Sequence, residues 1–78
     1  MKDVNKPFFA AIGQRVKQRR SQKKWTREDL ADSIGVTDKF IYDIEVGNKG
    51  MSLMTLQRLG QALEVSTDWL LSGEDFKK

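Results

Sequence analysis

The chain has no cysteine and no histidine, and these two absences remove most reactive chemistry at the outset. Without cysteine there is no disulfide framework and no thiolate metal site to reinforce a small core, and a reducing cytosol suits such a composition. There is also no G-x-S-x-G run, no Gly-rich phosphate loop and no carboxylate pair in a setting that would perturb its titration, so catalysis has no visible seat. No cofactor and no small-molecule substrate are expected. Long apolar runs are missing as well: nothing approaches the roughly 18 residues of a membrane span, and Phe8 to Ile12 falls short of the about 7 to 15 residues of a signal-peptide core. The expectation is a soluble, cytoplasmic protein with no membrane partner. Nowhere do apolar and polar residues alternate between turn signals as a half-buried strand would. An all-α fold follows.

What is present is charge, unevenly placed. The 78 residues carry a net charge of only +3. From Arg15 to Arg27, however, stand seven basic residues and no acidic one, whereas Glu28 to Glu45 holds six acids against the single base Lys39. Such a basic run points either to an anionic partner or simply to a solvated helix face. A chain of this length forms one domain, here residues 1–78 with a polar tail at 74–78, and must rely on tight helix packing for its modest stability.

Five helices can be placed. Val4 to Pro7 is a short lead-in, Pro7 suits the first turn of a helix, and Phe8, Ile12 and Val16 recur every four residues as one apolar stripe. This first helix frays around Ser21 to Lys24. Thr26 and Asp29 form a variant capping box for a second helix that runs to Ile34, with Leu30, Ala31 and Ile34 inward and Gly35 as the stop. Thr37 caps a third, with Ile41 and Ile44 buried and Gly47 at its end. Ser52 caps a fourth along Leu53, Leu56, Leu59 and Leu63. Ser66 caps a short fifth anchored by Trp69, Leu70 and Leu71 and stopped by Gly73.

Two short helices joined by only Gly35, Val36 and Thr37 form the informative constellation. A glycine-containing turn of three or four residues sets its helices at roughly 90 to 120 degrees and leaves the second exposed along one side. A major groove about 12 Å wide admits such a helix. Helical hairpins of this kind also occur in bundles that bind no nucleic acid, so the spacing alone leaves both readings open.

The runs IGQRVKQRR, TREDLADSIGVTDKFIYDIEVG and SLMTLQRLGQALEVSTDWLLSG resemble the helix-turn-helix domain of lambda-type phage repressors and Cro proteins, the Cro/repressor or XRE-like family. The resemblance covers Ile12 to Gly73, with Leu30-Ala31, Gly35, Ile41, Ile44-Glu45 and Gly47 at the family's spacing. It implies a compact five-helix bundle whose helix-turn-helix occupies about residues 26–46. The second helix would cross the DNA backbone and the third would lie in the major groove. The function implied is sequence-specific binding of double-stranded DNA as a transcriptional regulator, acting as a homodimer on a palindromic operator.

Carried over position by position, Asp38, Lys39 and Asp43 fall where base-contacting side chains are found, with Phe40 and Tyr42 on or beside the same face. Lys39 can donate to guanine, and a carboxylate can accept from cytosine N4. Asp38 has the alternative role of a first-turn acid favoured by the helix dipole. Phe40 either packs beneath the helix or meets a thymine methyl. Lys23, Lys24, Thr26, Arg27, Thr37, Asn48 and Lys49 flank the site as backbone contacts. Arg20 and Glu45 correspond to a structural ion pair, with phosphate contact as the rival role for Arg20. Three positions depart from the family: Arg27 replaces a glutamine, and Gly50 leaves the loop after the third helix with fewer cations. Glu64 stands where a glycine often follows the fourth helix, so either it takes a strained left-handed conformation or the helix ends differently.

Two other classes compete. Gly47-Asn48-Lys49-Gly50 is a G-x-x-G between helices, the clamp of KH domains, but that fold needs a sheet. The stronger rival is a module with a protein partner, such as an antitoxin of the same fold or the anchoring domain of a longer repressor. Trp69, Leu70 and Leu71 would then serve either the core or a dimer contact.

Overall fold

Four of the five helix starts among the described residues rest on hydroxyls. The computed structural model describes residues 5–75; Val4 of the lead-in and residues 76–78 of the polar tail lie outside them. Among the described residues are five helices and no strand: α1 (Lys6–Gln22), α2 (Arg27–Ile34), α3 (Asp38–Glu45), α4 (Leu53–Leu63) and α5 (Thr67–Ser72). The Thr26 hydroxyl accepts from the Asp29 amide at 3.0 Å while the Asp29 carboxylate accepts from the Thr26 amide at 2.9 Å, the expected reciprocal box. Thr37, Ser52 and Ser66 accept from Phe40, Thr55 and Trp69 amides in the same way. All four caps stand where the sequence placed them.

Four of the five helix ends follow one pattern, with one unforeseen member. The amides of Trp25, Val36, Asn48 and Val65 each reach back five residues, to the carbonyls of Arg20, Ala31, Asp43 and Gly60. This closure needs a left-handed residue just before the donor. Gly35 and Gly47 supply it at φ 75° and 79°, but Lys24 and Glu64 adopt it at 61° and 60°. Glu64 therefore takes the left-handed conformation rather than ending the helix differently, and Lys23 Nζ holds its carboxylate at 2.8 Å. The Lys23 hydrogen bond and charge keep the Glu64 carboxyl below its usual range. Left-handed backbone costs an L-residue roughly 1–2 kcal/mol, more than an exposed ion pair typically returns. Glu64→Gly is accordingly expected to raise the melting temperature by roughly a few degrees; an unchanged or lower melting temperature would mean that the Lys23 contact outweighs the strain.

The core gathers Ile12 and Val16 of α1, Leu30, Ala31 and Ile34 of α2, Ile41 and Ile44 of α3, Leu56, Leu59 and Leu63 of α4, and Leu70 of α5. Two members expected from the apolar stripes of α1 and α4 fall outside it. Phe8 faces solvent while Phe9 takes its place, its ring lying where a side chain on Gly50 would stand. Leu53, the first residue of α4, is 85% exposed: it continues the Leu56 and Leu63 stripe by spacing, but the first turn of the helix extends past the body it packs on.

Much of the basic run is spent inside the fold. Arg15 Nη1 donates to the Leu70 carbonyl at 2.9 Å and Arg19 Nε to the Leu63 carbonyl at 2.7 Å, so α1 ties down the C-terminal ends of α4 and α5. α3 packs on α1 and α2. At the α1 crossing, an ideal Cβ on Gly13 would lie 2.1 Å from the Ile44 carbonyl oxygen, so the two backbones touch.

Candidate nucleic-acid interface

The turn between α2 and α3 consists of Gly35, Val36 and Thr37. A Cβ on Gly35 would meet nothing within 4 Å, so its φ of 75° rather than space explains the glycine. Ile41 and Ile44 fix the inner face of α3, and Asp38, Lys39 and Tyr42 lie on its exposed side. Asp38 is an exposed first-turn acid. Phe40 is half-buried against the core with Lys49 Nζ 5.5 Å from its ring, which is the packing role foreseen as one of its two options.

Behind α3 lies a buried carboxylate shared by two arginines. Glu45, its side chain 1% exposed, accepts from Arg20 Nε at 2.6 Å and Arg20 Nη2 at 3.1 Å, a two-point contact, while Arg20 Nη1 donates to the Trp25 carbonyl at 2.8 Å. Arg27 Nε donates to the same Glu45 at 3.0 Å, and its guanidinium lies 5.2 Å from the Tyr42 ring centre. Sequence reasoning placed Arg27 at a phosphate; the fold first gives it a carboxylate and an aromatic face. Nothing in a separation of 18 residues signals that contact, since it depends on how α2 crosses α3.

A second polar cluster joins α3 to the following loop. Lys39 Nζ donates to Asp43 Oδ2 at 3.1 Å, the Asn48 amide to the Asp43 carbonyl at 2.9 Å, and Lys6 Nζ to Asn48 Oδ1 at 3.2 Å and the Gly47 carbonyl at 3.4 Å. Asp43 is only 8% exposed. The Lys39 hydrogen bond keeps its carboxyl below the usual range against partial desolvation, helped by the charges of Lys39 and Lys49 and by the Asn48 side chain. The sequence places Asp43 among candidate base-reading groups, and in the fold its carboxylate is engaged by Lys39. Lys6 was missed, because only the fold brings it 42 positions along the chain to Asn48.

The remaining positions divide. Lys24, Thr26, Thr37, Asn48 and Lys49 are exposed around α2 and α3. Lys23 is committed instead to Glu64 and to the Trp25 face, 4.7 Å from the ring centre. Among the possible dimer residues, Leu70 is fully buried and unavailable to a second copy, Trp69 is half-buried against the core, and Leu71 remains exposed. No helix among the described residues is long and apolar enough to cross a membrane.

A family model described as a helix-turn-helix domain matches residues 13–76. The uncharacterized HTH-type transcriptional regulator YqaE of Bacillus subtilis is 35% identical over 67 residues, which is 86% of this chain and 58% of that protein. The N-terminal DNA-binding domain of SinR from Bacillus subtilis has a TM-score of 0.76 at 32% identity, covering 87% of this chain and 99% of that one. A structure of SinR in complex with DNA has a TM-score of 0.74 at 34% identity, covering 78% and 98%. The chain spans a little under three fifths of the length of the curated relatives it matches. With the five-helix architecture and a family match over most of the residues, the chain belongs to the helix-turn-helix domain family of the Cro/repressor, XRE-like type, a family of DNA-binding regulators rather than enzymes.

Proposed function

We propose that this protein binds double-stranded DNA sequence-specifically as a transcriptional regulator, with α3 in the major groove. The observation that carries the reading is the exposed side of α3, where Asp38, Lys39 and Tyr42 project between backbone-seeking groups at both ends. Lys39 is the principal reader, donating to guanine O6 and N7; Asp38 accepts from cytosine N4, and Tyr42 meets a base or phosphate beside them. Lys24, Thr26, Arg27, Thr37, Asn48 and Lys49 supply phosphate contacts. The hydroxyls of Thr26 and Thr37 accept from backbone amides and keep their own protons for phosphate oxygens. That SinR, at 34% identity, has been solved in complex with DNA supports DNA as the partner. The protein acts as a homodimer on a palindromic site with half-sites about 34–36 Å apart or a multiple of that spacing.

Selection of bound sites from random duplexes tests this. An enriched, roughly palindromic motif is expected. Lys39→Ala should cost about 1–3 kcal/mol at that motif and flatten preference at one position. No enrichment, with a defined protein partner bound tightly instead, would overturn the reading in favour of a protein-interaction module. Lys49→Ala should lower the slope of log K against log salt by about 0.9, the share of one phosphate contact on duplex DNA. A slope equal to wild type would place Lys49 off the backbone.

A further inference from the structure

We infer that Asp43 is a positioning residue for DNA readout: its carboxylate, little exposed and hydrogen-bonded to Lys39, holds that lysine in the pose that meets the base and reads no base itself. The inference rests on the proposed DNA-binding function and assigns a different task to a residue that position in the motif would make a reader.

Three observations converge on it. Asp43 is 8% exposed, and an aspartate has the shortest reach of the charged side chains, so extending to a base edge would require leaving its present partner. Lys39 is the opposite: its side chain is 80% exposed and its only described ion-pair contact is Asp43, one helical turn along at 3.1 Å. A free lysine on a helix surface samples many rotamers and loses that freedom on binding. A lysine already drawn along the helix by a fixed carboxylate has lost part of it beforehand, and a preorganised donor discriminates better. The third observation concerns what holds the backbone that carries Asp43. Asn48 donates its amide to the Asp43 carbonyl at 2.9 Å, and Lys6 bonds both Asn48 and the Gly47 carbonyl, so the start of α1 braces the segment that carries Asp43. Lys39 and Lys49 beside one acid leave the cluster cationic, so Asp43 sits near phosphates without net repulsion.

The test compares Asp43→Ala, Asp43→Asn, Lys39→Ala and the Asp43→Ala, Lys39→Ala pair, each by competition among all single-base variants of the wild-type motif at one salt concentration. Circular dichroism melts accompany each protein. Asp43→Ala is expected to reduce discrimination roughly tenfold at the base pair that Lys39→Ala affects, and the double variant to lose no more there than Lys39→Ala alone. Asp43→Asn, whose amide oxygen can still accept from Lys39, should retain part of the discrimination. Two results would overturn the inference while leaving DNA binding intact. One is a change in preference at a different base pair from that of Lys39, which would make Asp43 a reader. The other is a uniform loss across all sequences that tracks a lowered melting temperature, which would make its role purely structural. A wild-type protein that selects no motif would remove the functional reading and this inference together.

Discussion

Glu45→Gln is expected to lower stability by about 3–5 kcal/mol, the cost of breaking a buried ion pair from one side. The geometry gives the reason. Glu45 is nearly sealed from solvent and takes both prongs of Arg20, itself buried, along with Arg27 Nε. A neutral amide keeps the shape but leaves the Arg20 guanidinium desolvated without a counter-charge, and its NH2 faces donors. For a domain of this size each kcal/mol moves the melting temperature by about 4–8 °C, so a fall of at least about 12 °C should be seen. Arg27→Gln provides the contrast. Its side chain is 38% exposed, where an ion pair typically contributes no more than about 1 kcal/mol, and the Arg20–Glu45 contact stays in place. A Glu45→Gln melt identical to wild type, together with a selective loss of DNA affinity in Arg20→Ala, would reject the structural role and return Arg20 to the phosphate backbone.

Gly13→Ala is expected to be the most damaging single-methyl change in the chain. In a helix interior alanine is ordinarily favoured over glycine by about 1 kcal/mol. Here the added Cβ would lie 2.1 Å from the Ile44 carbonyl oxygen and 2.7 Å from that of Glu45. Both obstacles are backbone, so no rotamer change relieves them; α3 must move off α1. Overpacking of this kind costs typically 1–3 kcal/mol and occasionally more, and with no flexible neighbour the net loss should lie near 3 kcal/mol after the helix-propensity gain. Because α3 carries the proposed reading face, DNA affinity should fall as well. Thermal melts and binding at one salt concentration check both effects. A variant as stable as wild type would show that the α1–α3 crossing can widen at little cost.

Local chemistry was legible in the sequence, and contacts across helix crossings were not. Thr26, Thr37, Ser52 and Ser66 cap helices because a hydroxyl three residues ahead of an orphan amide is a local arrangement, and Gly35 ends α2 for an equally local reason. Ile41 and Ile44 could be assigned to the core from spacing alone. Periodicity says which face of a helix is apolar, however, and not how far along that face a neighbour extends: Leu53 shares a stripe with Leu56 and is left in solvent, whereas Leu70, indistinguishable from Leu71 by composition, is wholly buried. Lys24 and Glu64 occupy left-handed positions that residue preference would give to glycine. The same division runs through the interface. The exposed side of α3 followed from its apolar stripe, but the sharing of Glu45 by Arg27, the turning of Asp43 toward Lys39 and the arrival of Lys6 at Asn48 depend on distances set by three packed helices. Charge counting pointed to an anionic partner, in keeping with a DNA-binding family. It did not tell which cations stand free for one, since Arg15, Arg19 and Arg20 each bond within the fold.

Methylation interference on a selected site shows whether α3 reads duplex DNA from the major groove. Dimethyl sulfate places a methyl on guanine N7 in the major groove and on adenine N3 in the minor groove, the two edges a protein can approach. The account predicts that methylation of a guanine N7 within each half-site blocks binding, and that Lys39→Ala loses that sensitivity at one guanine, whereas adenine N3 methylation is tolerated. Interference confined to adenine N3, or binding indifferent to methylation in either groove, would contradict a recognition helix seated in the major groove.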